Sequence, residues 1–257
     1  MNKTLFLMVA TFVLIMVTAA PAYGQNSSNI RYFSITDGFT NYHEFTNVMS
    51  HEIVETLTDP PQPYGAKGLI VVAGGHGDQI SDVCEQENIL LGDDVYVHSY
   101  WSNIRAECVA PPALRGSGTS TDNIKVEDHG GQVMQNAVVY IVFWGSNWNT
   151  MTMSEPTKKG IEDRIKLLLT KYSTYFSELQ QYRNIKPPKY GGSYVNTITP
   201  VTKTYDENLV GKVVQDAIAA KRVPNLSNTL YLIVPEIGIK NKDGFDGFSG
   251  YFNNDKY

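Results

Sequence analysis

The chain has 257 residues, of which 42% are hydrophobic and 18% are charged, with two cysteines and a formal net charge of −5. These values allow one large domain or two small ones with an ordinary core, and they exclude a charge-rich disordered chain. The 21 Lys and Arg residues are outnumbered by 26 Asp and Glu residues, so the charge balance argues against nucleic acid as a partner.

The first 24 residues have the pattern of a secretory signal peptide. Lys3 precedes an almost wholly apolar stretch at 5–20, and small residues at 20–22 suit cleavage by signal peptidase. An uncleaved membrane anchor is the alternative, but the polar stretch at 25–29 favours cleavage. We therefore expect a secreted protein with no membrane association after cleavage. Export also makes a disulfide between Cys84 and Cys108 the expected state of the two thiols.

The remaining chain alternates predicted strands and helices. Strands are predicted at 30–36, 69–73, 94–101, 137–144 and 228–235 from their alternating or continuous apolar residues. Helices are predicted at 46–57 (capped by Thr46 or Asn47), from 154–156 onward, at 172–182 and at 206–221. Residues 112–121 have a linker composition. This order predicts an α/β or α+β fold, with a mixed central sheet and flanking helices.

The strongest chemical signal lies in the first predicted helix, at His51, Glu52 and Glu55. Residues four apart share a helical face, so His51 and Glu55 can reach one point. An H-E-x-x-H helix binds zinc in this way and uses its Glu as a general base. Here Glu55 stands in place of the second histidine, which moves the metal preference toward ions that favour oxygen ligands. The pattern also fits the solvated face of an amphipathic helix.

A third metal ligand must come from elsewhere in the chain. The nearest acidic cluster, at 78–85, contains Asp78 and Asp82, and a disulfide at Cys84 would hold it in place. His129, in a turn before the 137–144 strand, is another candidate, although a histidine there is more often a hydrogen-bonding turn residue. His98 is expected to pack on a sheet face.

Other chemistries have weaker support. No G-x-S-x-G motif indicates a serine hydrolase, and a bridged cysteine pair cannot supply a nucleophile. Tryptophans 101, 144 and 148 and the many tyrosines (16 in the chain) could stack on carbohydrate, although most such residues pack in cores and sheets.

Several motifs together resemble the exordium-like family, also called phosphate-induced proteins. These are residues 129–134 with the strand ending Trp144-Gly145, residues 50–55 with 58–60, and residues 80–85 with 100–103 and Cys108. In that family the first of these segments begins the domain and the other two end it. Here residues 30–111 correspond to the family's C-terminal part and 122–257 to its N-terminal part, with the linker at 112–121 between them. This order predicts a circular permutation of a single domain at 25–257.

The resemblance implies an extracellular protein with a zincin-like helix, in which His51 and Glu55 bind a metal and Glu52 is the base. Asp82 is our third ligand, with His129 or Asp78 as further candidates. We therefore expect a secreted, peptidase-like hydrolase that uses a divalent ion (zinc, or else calcium or manganese) on a peptide or other extracellular polymer. The alternative is a non-catalytic protein that binds an envelope polymer or carbohydrate and holds a structural ion.

Overall fold

The apolar stretches at 138–144 and 229–235 form interior strands of a five-stranded sheet. The computed structural model describes residues 30–36, 39, 41–62, 65–72, 79–84, 89–112, 124–150 and 156–253. The sheet has the order β13-β1-β11-β8-β9, made from β1 (Ile30–Thr36), β8 (Val138–Trp144), β9 (Lys189–Asn196), β11 (Thr229–Pro235) and β13 (Gly247–Asn253). Only β13 is antiparallel to its neighbour. Every residue of β11 is buried, as expected for a strand covered on both faces.

Helices cover both faces of this sheet. The helices are α1 (Tyr42–Thr58), α2 (Lys158–Leu169) and α3 (Glu207–Ala219), with 3-10 helices at Ser146–Asn149 and Ser173–Gln181. Leu230, Leu232 and Val234 of β11 pack in one core with α1 and α2, while Tyr231 and Ile233 pack in a second core with α3. This alternation follows from the two-residue period of a strand. The expected α/β class with a mixed central sheet and flanking helices is confirmed.

Four smaller ladders complete the described structure. The strands are β2 (Leu69–Val72) with β7 (Lys125–Asp128), β3 (Ile89–Gly92) with β4 (Val95–Val97), β5 (Tyr100–Ser102) with β6 (Glu107–Val109), and β10 (Thr204–Tyr205) with β12 (Lys240–Asn241). The predicted strand at 94–101 is therefore wrong as a single element, because His98 and Ser99 separate β4 from β5.

Segments from both sides of the predicted linker contribute to the central sheet. Residues 30–111 supply β1, and residues 122–257 supply the other four strands. Ile30 is the ladder partner of Asn253, so the first and last strands of the sheet have their outer ends side by side. A circular permutation requires this proximity, while the permutation itself stays a prediction. The predicted signal peptide at 1–24 and residues 113–121 of the linker lie outside the described residues.

Candidate metal centre

Helix α1 carries the predicted metal-binding residues and begins earlier than expected. Asn41 caps it, with its side chain accepting a hydrogen bond from the backbone of Glu44 at 2.9 Å. The predicted caps Thr46 and Asn47 are therefore wrong, and both lie inside the helix. The longer helix follows from Phe45, which is fully buried on the same side as Met49 and Ile53. This packing fixes the rotation of α1 and with it the directions of its polar side chains.

Carboxylate oxygens of Glu55 and Asp82 converge on one nitrogen atom of His51. Nε2 of His51 lies 2.9 Å from Oε1 of Glu55, one helical turn further on, and 3.3 Å from Oδ1 of Asp82. The helix supplies the first pair through its i, i+4 spacing. Asp82 comes from a different segment of the chain and completes a three-sided arrangement of one imidazole and two carboxylates.

The segment that carries Asp82 is attached to the rest of the protein at three points. Cys84 is bonded to Cys108 on β6, as expected from the sequence. The carbonyl of Ile80 accepts a hydrogen bond from the backbone N–H of Trp101 at 3.1 Å. Gln79 donates from its side chain to the carbonyl of Asp59, just after α1, at 3.3 Å. Asp82 is therefore held beside the helix by a covalent link and by hydrogen bonds.

Glu52 lies next to this group and is buried. Its Oε2 accepts a hydrogen bond from the hydroxyl of Ser249 on β13 at 2.9 Å. One nitrogen of His51 and one carboxylate oxygen each from Glu52 and Glu55 all lie within 4.8 Å of one another. Among the described residues, these three side chains form a group that could hold a metal ion.

The crowding of charges shifts the pKa values of these groups. Burial would lower the pKa of His51, but Asp82 and Glu55 outweigh it and raise that pKa to about 10. Burial, and then the charge of Glu55, raises the pKa of Glu52 to about 8. Burial is also the main reason that the pKa of Glu55 rises to about 7. The hydrogen bond with His51 lowers the pKa of Asp82. A cation placed here would stabilise the ionised form of every carboxylate.

The donor set fits a divalent cation. Oε1 of Glu55 is buried and lies 2.9 Å from Nε2 of His51, with which it pairs while the imidazole is protonated. When His51 loses its proton, this buried oxygen needs another positive partner, and a bound cation would be one. One imidazole with carboxylates is a ligand set for zinc, and the number of oxygens also suits manganese or calcium.

His98 is a neighbour of the site that the sequence did not indicate. Its ring lies edge-on to His51 with the centroids 4.8 Å apart, and its Nδ1 is 2.8 Å from the carbonyl of Ser99. Burial and then the charge of His51 lower the pKa of His98 to about 4, so the ring is neutral. The prediction that His98 packs on a sheet face is wrong, because the residue follows β4 and lies against α1 instead. The alternating pattern at 94–101 predicted one continuous strand and therefore placed His98 on a sheet face.

The other candidate ligands have different outcomes. His129 is exposed at the end of β7, and its backbone N–H bonds to the carbonyl of Gly68. Gly68 in turn donates its backbone N–H to Asp59, which follows α1 and lies eight residues beyond His51, about 12 Å along the helix axis. The structure therefore does not bring His129 to His51. Asp78 lies outside the described residues.

Comparisons with protein-family models, curated proteins and solved structures find no match to this chain. The resemblance to exordium-like proteins therefore stays a prediction from the sequence. In the described part of the chain, no helix combines the length and apolar character needed to cross a bilayer.

Proposed function

We propose that the protein is a secreted, metal-dependent hydrolase that acts on peptides. The observation that carries the proposal is the convergence of Glu55 and Asp82 on Nε2 of His51, with Glu52 buried alongside. A predicted signal peptide and the Cys84–Cys108 disulfide support export. Zinc is the ion we expect, held by His51, Glu55 and Asp82.

Each side chain has a defined task in this proposal. A bound zinc ion would supply Lewis acidity and a more acidic water. His51 and the carboxylates of Glu55 and Asp82 would hold the ion, which requires the loss of the proton from His51. Glu52, which has a carboxylate oxygen within 4.8 Å of the ligand atoms of His51 and Glu55, takes a proton from the attacking water and passes it to the leaving amine.

The alternative function, binding of an envelope polymer or carbohydrate, has less support. Tryptophans 101, 144 and 148 have exposed fractions of 2%, 0% and 2%. Side chains buried to this degree cannot stack against a sugar ring at the surface. An alternative role would therefore rest on half-buried tyrosines such as Tyr140 and Tyr194, or on a structural ion whose coordination protein ligands close.

The test combines metal analysis with one substitution in the secreted protein. Zinc content is measured after dialysis, and hydrolysis of a mixture of unstructured peptides is followed by mass spectrometry. We expect bound zinc in the wild type, and in Glu52→Gln we expect retained zinc with hydrolysis reduced at least about 100-fold. Glu44→Gln makes the same chemical change at an exposed position of α1 and should leave both properties unchanged.

Three outcomes separate the possibilities. Wild-type protein that binds no zinc, manganese or calcium would contradict the metal centre altogether. Tight binding with no hydrolysis in the wild type would favour a structural ion. Hydrolysis that persists in Glu52→Gln would show that another residue is the base.

A further inference from the structure

Strand β13 contacts the carboxylate of Glu52 through two of its residues. The hydroxyl of Ser249 donates to Oε2 of Glu52, and its oxygen lies 2.7 Å from Oγ1 of Thr56 on α1. Gly247 approaches from the same strand, and a methyl group there would lie 2.9 Å from Oε1 of Glu52 and 2.7 Å from Val48. Strand β13 therefore donates a hydrogen bond to Oε2 of Glu52, and the absence of a side chain at Gly247 leaves space beside Oε1.

We infer that Ser249 is a positioning residue for Glu52, which holds Oε2 so that Oε1 remains available to act on water. This inference rests on the proposed hydrolase function, because it assigns a task to a residue that touches the base and not the substrate. Thr56 supports the same arrangement, since its hydroxyl lies against the carbonyl of Glu52 at 2.9 Å as well as against Ser249. The serine is thus in contact with two α1 side chains.

A base on a long side chain needs such support. Without a partner, the terminal carboxylate torsion of a glutamate is broad and roughly two-fold. Proton transfer to and from water depends on distances near those of hydrogen bonds, and small displacements have large effects on rate. A hydroxyl on a sheet strand is a rigid partner, because the backbone of β13 is fixed by its ladder with β1 over seven residue pairs.

A kinetic experiment tests the effect on the base. Ser249→Ala should lower kcat by between about 10-fold and 100-fold, with KM and zinc content unchanged. Both constants are measured on one peptide of the mixture that the wild type cleaves. Ser249→Thr keeps the hydroxyl and should recover most of the lost rate. Gly247→Ala keeps Ser249 but crowds Oε1, and it should also lower kcat. Unchanged kcat in Ser249→Ala would overturn the inference.

A matched control exists at the opposite edge of the sheet. Ser193 of β9 hydrogen-bonds Glu162 of α2, which is the same strand-to-helix pairing away from the metal centre. Ser193→Ala should leave kcat, KM and zinc content at wild-type values. An equal loss of kcat in this variant would show that loss of a strand–helix hydrogen bond acts through general destabilisation.

A double-mutant cycle gives a readout that needs no activity. Urea unfolding is measured for wild type, Ser249→Ala, Glu52→Ala and the double variant. Ser249→Ala should lower the urea midpoint when it is made in the wild-type chain. The same substitution should lower it much less in Glu52→Ala, since Ser249 has then already lost its carboxylate partner. Additive effects would overturn the inference. If the cycle shows coupling but no variant and no wild type hydrolyses peptides, the proposed function fails while the contact stands.

Discussion

At the residue scale, protons and the proposed cation would compete for His51 and the acidic side chains around it. The pKa of His51 is raised to about 10, and those of Glu52 and Glu55 to about 8 and 7. All three groups bind protons more tightly in the folded chain than in an unfolded one. Their contribution to the free energy of unfolding is therefore fully present at low pH and is lost as pH rises through these values.

The stability of the metal-free protein should thus fall between pH 6 and 8, whereas zinc affinity should rise. Zinc binding displaces at least the proton of His51, so the association constant should increase at least about tenfold per pH unit. The gain in Tm on adding zinc, measured in scans at pH 6, 7 and 8, should widen accordingly. Asp82 acts only at lower pH, because its pKa is depressed. A gain in Tm that is constant across this range would contradict the assigned ligands.

The residues of the site differ in how far sequence could locate them. His51, Glu52 and Glu55 were predicted because one helix contains them all and the i, i+4 rule relates them. Asp82 was a candidate because it belongs to the nearest acidic cluster, which a disulfide at Cys84 was expected to hold in place. Ser249 could not be found, since it is 197 residues from Glu52 in sequence and meets it only through the pairing of β13 with β1.

At the element scale, two hydroxyls on α1 attach β4 to the helix. Thr46 accepts a hydrogen bond from the backbone N–H of Tyr96 at 3.0 Å, and Ser50 accepts one from that of His98 at 2.9 Å. Thr46 and Ser50 are four residues apart, which is about 6 Å along the helix axis. Tyr96 and His98 are two residues apart, which is also about 6 Å along an extended chain, so each donor lies opposite its acceptor. This attachment places His98 beside His51.

Ser50→Ala should therefore destabilise the protein although it deletes a single oxygen. The backbone N–H of His98 is buried and would lose its acceptor, which costs about 1–3 kcal/mol. Urea unfolding of the metal-free protein measures the change. Ser146→Ala, at an exposed position, should stay within about 0.5 kcal/mol of wild type. An equally small effect of Ser50→Ala would show that β4 is held by other contacts.

Elements were predictable where their apolar pattern is strong. Strands β8 and β11 follow from continuous apolar runs, and α3 follows from the periodic apolar residues of the predicted helix at 206–221. Strand β13 contains Gly247, Ser249 and Gly250, which have low strand propensity, so its sequence gives no strand signal. It forms by antiparallel pairing with β1, which satisfies backbone groups of both strands that propensity does not describe.

At the scale of the whole molecule, one sheet joins segments from both sides of the predicted linker. Ladder partners at the outer end of β1 and β13 are Ile30 and Asn253, and the two strands are antiparallel. A short connection between their ends would make an ordinary hairpin. The chain order could thus be changed without altering any contact within the central sheet, as the resemblance to exordium-like proteins suggests.

A rearranged chain tests this directly. It begins at residue 122, runs to 257, continues into residues 25–112 and lacks the rest of the predicted linker. We expect the same circular dichroism spectrum, zinc affinity within about twofold of wild type, and a change in stability of about 1–2 kcal/mol, since loop closure depends weakly on length. A control chain opened between Val142 and Phe143, inside a fully buried stretch of β8, should not fold. Failure of the first chain to bind zinc, with the wild type binding it, would show that covalent continuity across residues 113–121 is required to assemble the metal centre.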